Sequence, residues 1–503
     1  MNDSGMTRLL LRAPALFAAL AGGLTTLAFA PFDLWIMAVL GPMLLFLIWH
    51  KLAGPSFKSG FFYGFGLLGT GVSWLYVSIA QFGDLGWLFP LIITLGFILF
   101  ISLYYGLLGW LAARFDGFGS GQKLVLIYPA LWISMEWFRG WFLTGFPWLQ
   151  PGYSQLDSPL AGYAPLLGVL GVSWMVILSA GLLGYLLIGK SGRPWRVSVL
   201  VLIWLGGWWT TDIEWSRPAG EPLSVALIQG NIPQAQKWLP EQLSPSLVLY
   251  ANLTKQNLDR DLIIWPETAV SAFQFQVEEA FIVPLEKLIR DSDTNLVFGV
   301  VQMDQQRENY YNALVSLGNE QRDHYYKGHL VPFTEYLPLK SLLWPLVDLF
   351  TIPMSDFSAR QAPKPLMQVG DHTVGMSICY EDAFGSEMIQ ALPEAAYLIN
   401  VSNDAWFGDS LAPHQHLQIA RMRALESSRY LLRSTNTGVS AIIAPNGKLA
   451  AVSPLLEEDV LQGEIVPLSG ETPYARTGNL TILLFLVMSL IPALAGVIAK
   501  RRS

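Results

Sequence analysis

Between residues 59 and 113 the chain carries one charged side chain, Asp84. A stretch so nearly free of charge exposes far more apolar surface than a soluble domain can hide, and only helices satisfy their own backbone groups in hydrocarbon. This feature limits the fold more than any other: that part of the chain is a set of membrane helices. Overall, 52% of residues are hydrophobic and 14% charged, against roughly 25% charged in a soluble domain. Residues 223–469, by contrast, have the mixed composition of a water-soluble domain. The net charge of −7 is modest and the basic residues form no run or stripe, so no nucleic acid is expected as a partner.

Apolar spans are expected at residues 9–29, 34–49, 60–79, 87–113, 124–142, 164–188, 196–209 and 479–499. Arg8, Arg12, Lys51, Lys58, Arg114, Lys123, Lys190, Arg193, Arg196, Lys500, Arg501 and Arg502 all fall on one side of these spans. The opposite loops, 80–86 and 143–163, contain no Lys or Arg. The positive-inside rule then places both termini in the cytoplasm and the large domain outside it. The expected organisation is a membrane domain over 1–215 with seven transmembrane helices, an outer domain over 220–470 and an eighth helix at 478–500. Residues 8–30 imitate a signal peptide but are read as a retained helix. The apolar stretch 337–353 is broken by Pro338 and Pro345 and is read as an arm on the membrane surface. Glu136 and Arg139 lie one turn apart near the outer end of the fifth span, as a local ion pair or a site for lipid phosphate.

Within the outer domain, compact apolar segments at 224–229, 262–265, 295–300, 374–379, 396–401 and 440–444 read as buried strands, and 245–260, 277–291 and 414–429 as helices. Alternation of this kind implies an α/β domain with helix-covered sheets, whose strand ends carry the chemistry. At one such end stands Glu267, after Trp265 and Pro266; a carboxylate there suits a general base, and a solvated turn glutamate is the plain alternative. At a second, Lys327 sits among aromatics, with Glu335 eight residues on. At the third stands Cys379, the only cysteine of the chain, followed by Tyr380, Glu381 and Asp382. A lone cysteine forms no internal disulfide; it is either a small buried hydrophobe or a nucleophile. A nucleophilic thiol needs a base for its proton and a cation for the thiolate, roles open to Glu267 and Lys327.

Those three segments together resemble the nitrilase superfamily, whose members use a Glu–Lys–Cys triad on a four-layer αββα sandwich. The segments Gln229–Pro233, Trp265–Thr268, Tyr326–Phe333, Cys379–Glu381 and Asn400–Phe407, with Gly145–Gln150 in an outer loop of the membrane part, are similar to the apolipoprotein N-acyltransferase family of Gram-negative bacteria. The resemblance extends over essentially the whole chain. It implies a multi-span α-helical membrane domain joined to a nitrilase-like sandwich in the bacterial inner membrane, with the catalytic domain facing the periplasm. It also implies a ping-pong transfer in which Glu267 takes the Cys379 proton. The thiolate attacks the sn-1 ester of a phospholipid, typically phosphatidylethanolamine, while Lys327 and a backbone N–H near Tyr380 hold the oxyanion. The resulting thioester passes to the α-amine of a diacylglyceryl-cysteine that begins an apolipoprotein. No metal or other cofactor is implied, because the energy is already in the ester.

By the same resemblance, Glu335, Tyr380 and Glu381 support the triad, and Trp238, Asn312, Trp406 and Phe407 line the substrate pocket, although aromatics there also suit core or interfacial packing. Three rival functions remain at this level. A membrane-tethered amidase would hand the acyl group to water, a transporter or assembly factor would use the outer domain for binding, and an acyltransferase could serve another acceptor.

Overall fold

The computed structural model describes residues 13–51, 54–81, 86–189, 192–304, 306, 308–338, 356–361 and 364–502. Of the apolar arm expected at 337–353, all but Leu337 and Pro338 lies outside the described residues, as do Asp84 and Lys190. The chain forms two compact units, Met1–Ile213 with Arg476–Ser503, and Glu214–Ala475.

The first unit is helical: Pro14–Thr26, Met37–Lys51, Phe57–Gly71, Leu75–Ala80, Leu88–Ala113, Tyr128–Arg139, Ala164–Ile188, Arg193–Thr210 and Leu480–Arg502. Each segment expected to span therefore contains a helix. Among the described residues, Leu88–Ala113 and Pro159–Ile188 are the two long and apolar enough to cross a membrane by length and composition, while Pro14–Thr26, Met37–Lys51 and Leu480–Ile491 are shorter apolar helices. The segment 60–79 is not one helix as expected. Val72 leaves the helical region at φ −123° and closes Phe57–Gly71, and the short Leu75–Ala80 that follows buries none of its residues.

Glycine sets the helix spacing in this unit. A Cβ on Gly66 would lie 1.9 Å from the Ala19 carbonyl oxygen, and one on Gly60 would lie 2.0 Å from that of Tyr105. Without side chains at these points the backbones approach closely, the usual basis of helix association in lipid. Glu136 and Arg139 are both fully buried and paired at 3.4 Å. Arg139 Nη1 also donates to the carbonyls of Phe146 and Trp148, at 2.6 and 2.8 Å, and Trp132 Nε1 donates to Glu136 at 3.1 Å. Of the two readings of this pair, the geometry is that of an ion pair that also pins the Gly145–Gln150 segment.

The second unit contains strands β1 (Ser216–Pro218), β2 (Leu223–Gln229), β3 (Leu262–Ile264), β4 (Val270–Phe273), β5 (Asn295–Met303), β6 (Tyr310–Leu317), β7 (Asp323–Tyr326), β8 (Leu366–Val369), β9 (His372–Ile378), β10 (Leu398–Ser402), β11 (Leu431–Thr435), β12 (Ala441–Ile443), β13 (Leu449–Val452), β14 (Asp459–Ile465) and β15 (Leu468–Gly470). One sheet runs β14-β2-β3-β5-β6-β7, with β4 beside β5; the other runs β13-β12-β11-β10-β9-β8. Parallel pairing holds β2 to β3 to β5 and β9 to β10 to β11, with antiparallel strands outside them.

Strands β2, β3 and β5 are apolar on both faces, and with a period of two each face packs on a different layer. In β2, Val225 and Leu227 enter the core between the sheets, with Val374, Met376, Ile378, Ile399 and Val401 from the other sheet. Ala226 and Ile228 point the other way, toward Leu247, Tyr250 and Leu253 of helix Pro240–Lys255 and Leu285 and Ile289 of helix Val283–Asp291. The outer face of the second sheet is covered by Leu417, Ala420 and Ala424 of helix Leu411–Ser427. The layers are therefore helix, sheet, sheet, helix, and the central strands have both faces out of water, while the edge strand β13 stays largely exposed. The helix expected at 245–260 begins earlier, at Pro240, because proline is well placed in a first turn where its missing N–H costs nothing.

Candidate active site

Parallel strands end on one side of a sheet, and there the chemistry-bearing residues gather. Cys379 follows β9 directly and opens the turn Cys379–Ala383 with φ +54°. For a residue with a Cβ this backbone costs about 1–2 kcal/mol, so it persists only where neighbours hold it. Two do so here. Glu381 Oε2 accepts from the Ile378 N–H at 2.7 Å, and Asn400 Nδ2 donates to the Cys379 carbonyl at 3.3 Å.

Glu381 does more than hold the turn. Its buried carboxylate also accepts from the Tyr325 hydroxyl at 2.8 Å and from the Gly328 and His329 N–H groups at 2.7 and 3.1 Å. One side chain thus joins the cysteine turn to the segment that carries Lys327. Tyr380 packs edge-on against Phe384, with ring centroids 5.1 Å apart.

Lys327 follows β7, and its ammonium is buried. Its Nζ lies 2.9 Å from Glu335 Oε1 and 3.7 Å from Glu267 Oε1. Burial alone would lower its pKa, but the two carboxylates outweigh that and hold the lysine charged well above its ordinary range. Glu267 sits past the end of β3, where Oε1 accepts from Asn312 Nδ2 at 2.7 Å and Oε2 from the Asn403 N–H at 2.9 Å. Asn312, on β6, donates from the same nitrogen to Glu335 at 3.1 Å. Expected as a pocket residue, it spends its amide nitrogen on two carboxylates; its Oδ1 is buried and has no partner among the described residues. Glu335 Oε2 is held in turn by the Val331 N–H at 2.8 Å.

The Cys379 thiol feels this arrangement. Burial first, and the Glu267 carboxylate second, push its pKa up, while Lys327 opposes them. The sulfur therefore rests as a thiol, with the opposed charges of Glu267 and Lys327 acting on it.

Of the other expected pocket residues, Trp406 and Phe407 belong to the turn Asp404–Phe407, just after the Asn403 that holds Glu267. Trp238 is 38% exposed, beside Lys237. Lys237 escaped sequence reasoning. It is buried, its ammonium donates to the Glu267 carbonyl at 2.9 Å, and burial pulls its pKa down to about 8 against the charges of Glu267 and Cys379. Asn403 and Asn400 were also missed as chemistry, although both lie in the Asn400–Phe407 segment; a run of small polar residues after a strand was the available signal. Nothing in the sequence marked Lys237 beyond its place next to Trp238.

Comparison with known proteins bears on this geometry. Residues 21–182 match the family described as apolipoprotein N-acyltransferase N-terminal domain, and residues 224–474 match carbon-nitrogen hydrolase. A protein of Methylococcus capsulatus named apolipoprotein N-acyltransferase is 45% identical over 92% of this chain and 93% of its own length. One of the same name from Nitrosomonas europaea is 40% identical over 97% and 98%. Among solved structures, Saccharomyces cerevisiae Nit3, a member of branch 10 of the nitrilase superfamily, matches with a TM-score of 0.38 and 20% identity over 49% of this chain and 91% of its own; so slight a likeness adds nothing to the argument. With both domain families matched in one chain and such identity across nearly all of it, the chain belongs to the apolipoprotein N-acyltransferase family, as an acyltransferase built on a nitrilase-superfamily domain.

Proposed function

We propose that this enzyme moves the sn-1 acyl chain of a phospholipid, phosphatidylethanolamine for preference, onto Cys379 and from there onto the α-amine of the diacylglyceryl-cysteine that begins an apolipoprotein. The observation that carries the reading is the Glu267–Lys327 pair bearing on a thiol held in a left-handed turn. Glu267 takes the thiol proton, the sulfur attacks the ester carbon, and Lys327 holds the developing oxyanion. Collapse breaks the ester C–O bond, Glu267 returns its proton to the leaving lysophospholipid, and a thioester remains. The acceptor amine then attacks the thioester carbon. Glu267 takes a proton from the new C–N nitrogen and delivers it to the departing sulfur, restoring the thiol. Glu335, Tyr380 and Glu381 position these groups in this reading. Trp238, Trp406 and Phe407 offer the acyl chains an apolar wall, and Asn312 Oδ1 offers an acceptor.

Eight spans, with the catalytic domain 220–470 on the periplasmic side of the inner membrane, complete the proposal. Helix Leu88–Ala113 supports it. Its exposed apolar side chains Leu88, Ile92, Leu95, Leu99, Leu103 and Leu107 recur every three or four residues, forming a stripe that suits lipid rather than water. The names of the relatives favour a lipoprotein acceptor over water or another amine.

The test is mass spectrometry of the purified protein after incubation with phosphatidylethanolamine and no acceptor. A fatty-acyl mass on the Cys379 peptide, labile to neutral hydroxylamine and absent in Glu267→Ala, is expected; a synthetic diacylglyceryl-cysteine peptide should then discharge it as an amide. Intact phospholipid and unmodified Cys379 would refute the mechanism, and free fatty acid without an adduct would point to a hydrolase.

A further inference from the structure

Beneath the cysteine turn lies a closed ring of four buried charged side chains, none of which takes part in the chemistry above. Asp382, His416, Asp404 and Arg433 are each at most 2% exposed. His416 Nε2 lies 2.9 Å from Asp382 Oδ1, and His416 Nδ1 lies 3.1 Å from Asp404 Oδ1. Arg433 closes the ring through the remaining oxygens, at 3.2 Å from Asp382 Oδ2 and 2.9 Å from Asp404 Oδ2.

The donor and acceptor inventory decides the protonation of this ring. An ionised carboxylate only accepts, and a neutral imidazole has one donor nitrogen. A histidine whose two nitrogens both face carboxylates therefore carries hydrogen on both and is an imidazolium. Two positive and two negative charges then cancel, which makes burial of all four tolerable. Burial and Arg433 would lower the pKa of His416, but Asp382 and Asp404 raise it to about 9. Burial alone would push the Asp404 carboxyl up, but Arg433 and His416 reverse this and hold it far below the usual range.

The ring is wired to the site by short covalent and hydrogen-bonded paths. Asp382 belongs to the turn that Cys379 opens. Asp404 follows Asn403, whose N–H holds Glu267. Arg433 also donates to Asn400, which holds the Cys379 carbonyl. Asp404 is, in addition, one of the charges that push the Cys379 thiol up.

We propose that His416 is a positioning residue that stays an imidazolium throughout the working pH range, cancelling the Asp404 charge so that the Cys379 thiolate can form. Loss of that proton leaves an uncompensated carboxylate behind the nucleophile and closes the alkaline side of the activity profile. The charged groups facing His416 include Asp382, Asp404 and Arg433. The catalytic consequence rests on the thioester reading; the charge state of His416 does not.

Nitrogen-15 NMR of histidine-labelled full-length protein in phosphatidylethanolamine nanodiscs tests the charge state without any turnover. One imidazolium resonance that persists at pH 8 and disappears in His416→Gln is expected. A neutral tautomer for His416 at pH 7 would overturn the proposal, as would the absence of any imidazolium at pH 8 if His416→Gln does not fold. Thioester formation tests the consequence. His416→Gln should be about 10- to 100-fold slower, the effect of one unbalanced charge shifting the thiol by one to two pKa units. Adding Asp404→Asn should restore at least about tenfold, because the surplus charge is gone. A double variant no faster than His416→Gln would show packing rather than charge and defeat the idea. Failure of the wild type to form a thioester would count against the proposed function alone, and the NMR result would stand.

Discussion

Replacing Glu381 with glutamine keeps the side-chain volume and turns one carboxylate oxygen into an NH2 group. The carboxylate receives four hydrogen bonds, from Tyr325, Gly328, His329 and Ile378. The glutamine oxygen can still serve Gly328 and His329, and the Tyr325 hydroxyl can turn to accept from the new NH2. The Ile378 N–H cannot adjust, and two donors then face each other in a buried site. An unpaired buried N–H costs about 1–3 kcal/mol, and the loss of charge assistance on the other bonds takes roughly 1 kcal/mol more. Ile378 immediately precedes the strained Cys379, so most of this falls on the nucleophile turn. At 1.36 kcal/mol per decade, about 2–4 kcal/mol predicts a 30- to 1000-fold slower chemical step. The assay is single-turnover thioester formation on Cys379, followed by intact mass, with phospholipid concentration varied. We expect kcat to carry the loss and KM to stay within about threefold, since Glu381 positions the turn and is not assigned to the pocket. Thioester formation by Glu381→Gln within threefold of wild type would refute the claim that this carboxylate holds the turn.

Other expectations follow from the same geometry. Asn312→Leu removes the amide that donates to Glu267 and Glu335; acylation should fall by at least about tenfold, from roughly 1.5–3 kcal/mol of charge-assisted bonding. Lys237→Met removes a buried cation near Glu267 and Cys379; the rate of Cys379 alkylation by iodoacetamide should fall about tenfold at pH 8, and Lys237→Arg should recover part of it. Stability should depend on pH through His416, whose pKa is raised from 6.5 to about 9 on folding. A raised value stabilises the fold fully below the unfolded pKa and is lost as pH rises through the folded one, so about 2 kcal/mol should go between pH 5.5 and 8. Lys237, lowered to about 8, acts in the opposite sense only above that pH. Chemical denaturation of wild type against His416→Gln isolates the effect, and equal pH slopes would contradict it.

The residues legible in the amino-acid order were those whose type and immediate neighbours are informative together. Glu267 after an apolar strand and a proline, Lys327 among aromatics, and the lone Cys379 in a strand-end turn are local patterns, and a compact apolar run locates a buried strand from a few residues. The six apolar strands read from the sequence all recur. Strands such as β11, with Arg433, Ser434 and Thr435, were invisible because their polar side chains are buried against distant partners rather than solvated.

The partners decided the rest. Lys237 reaches a carbonyl 30 residues away, the Asn403 N–H a carboxylate 136 residues away, and His416 an aspartate 34 residues away. Such pairs leave no trace in spacing, because the partners sit on elements far apart along the chain, Lys237 on helix Gln234–Lys237 and His416 on helix Leu411–Ser427 among them. The amino-acid order alone pointed to candidate groups for chemistry and to apolar helices beside them. Which charges cancel, which carboxylate holds a turn and which lysine loses its water were settled by tertiary packing, since desolvation and hydrogen-bond partnership depend on what surrounds a side chain in space rather than along the chain.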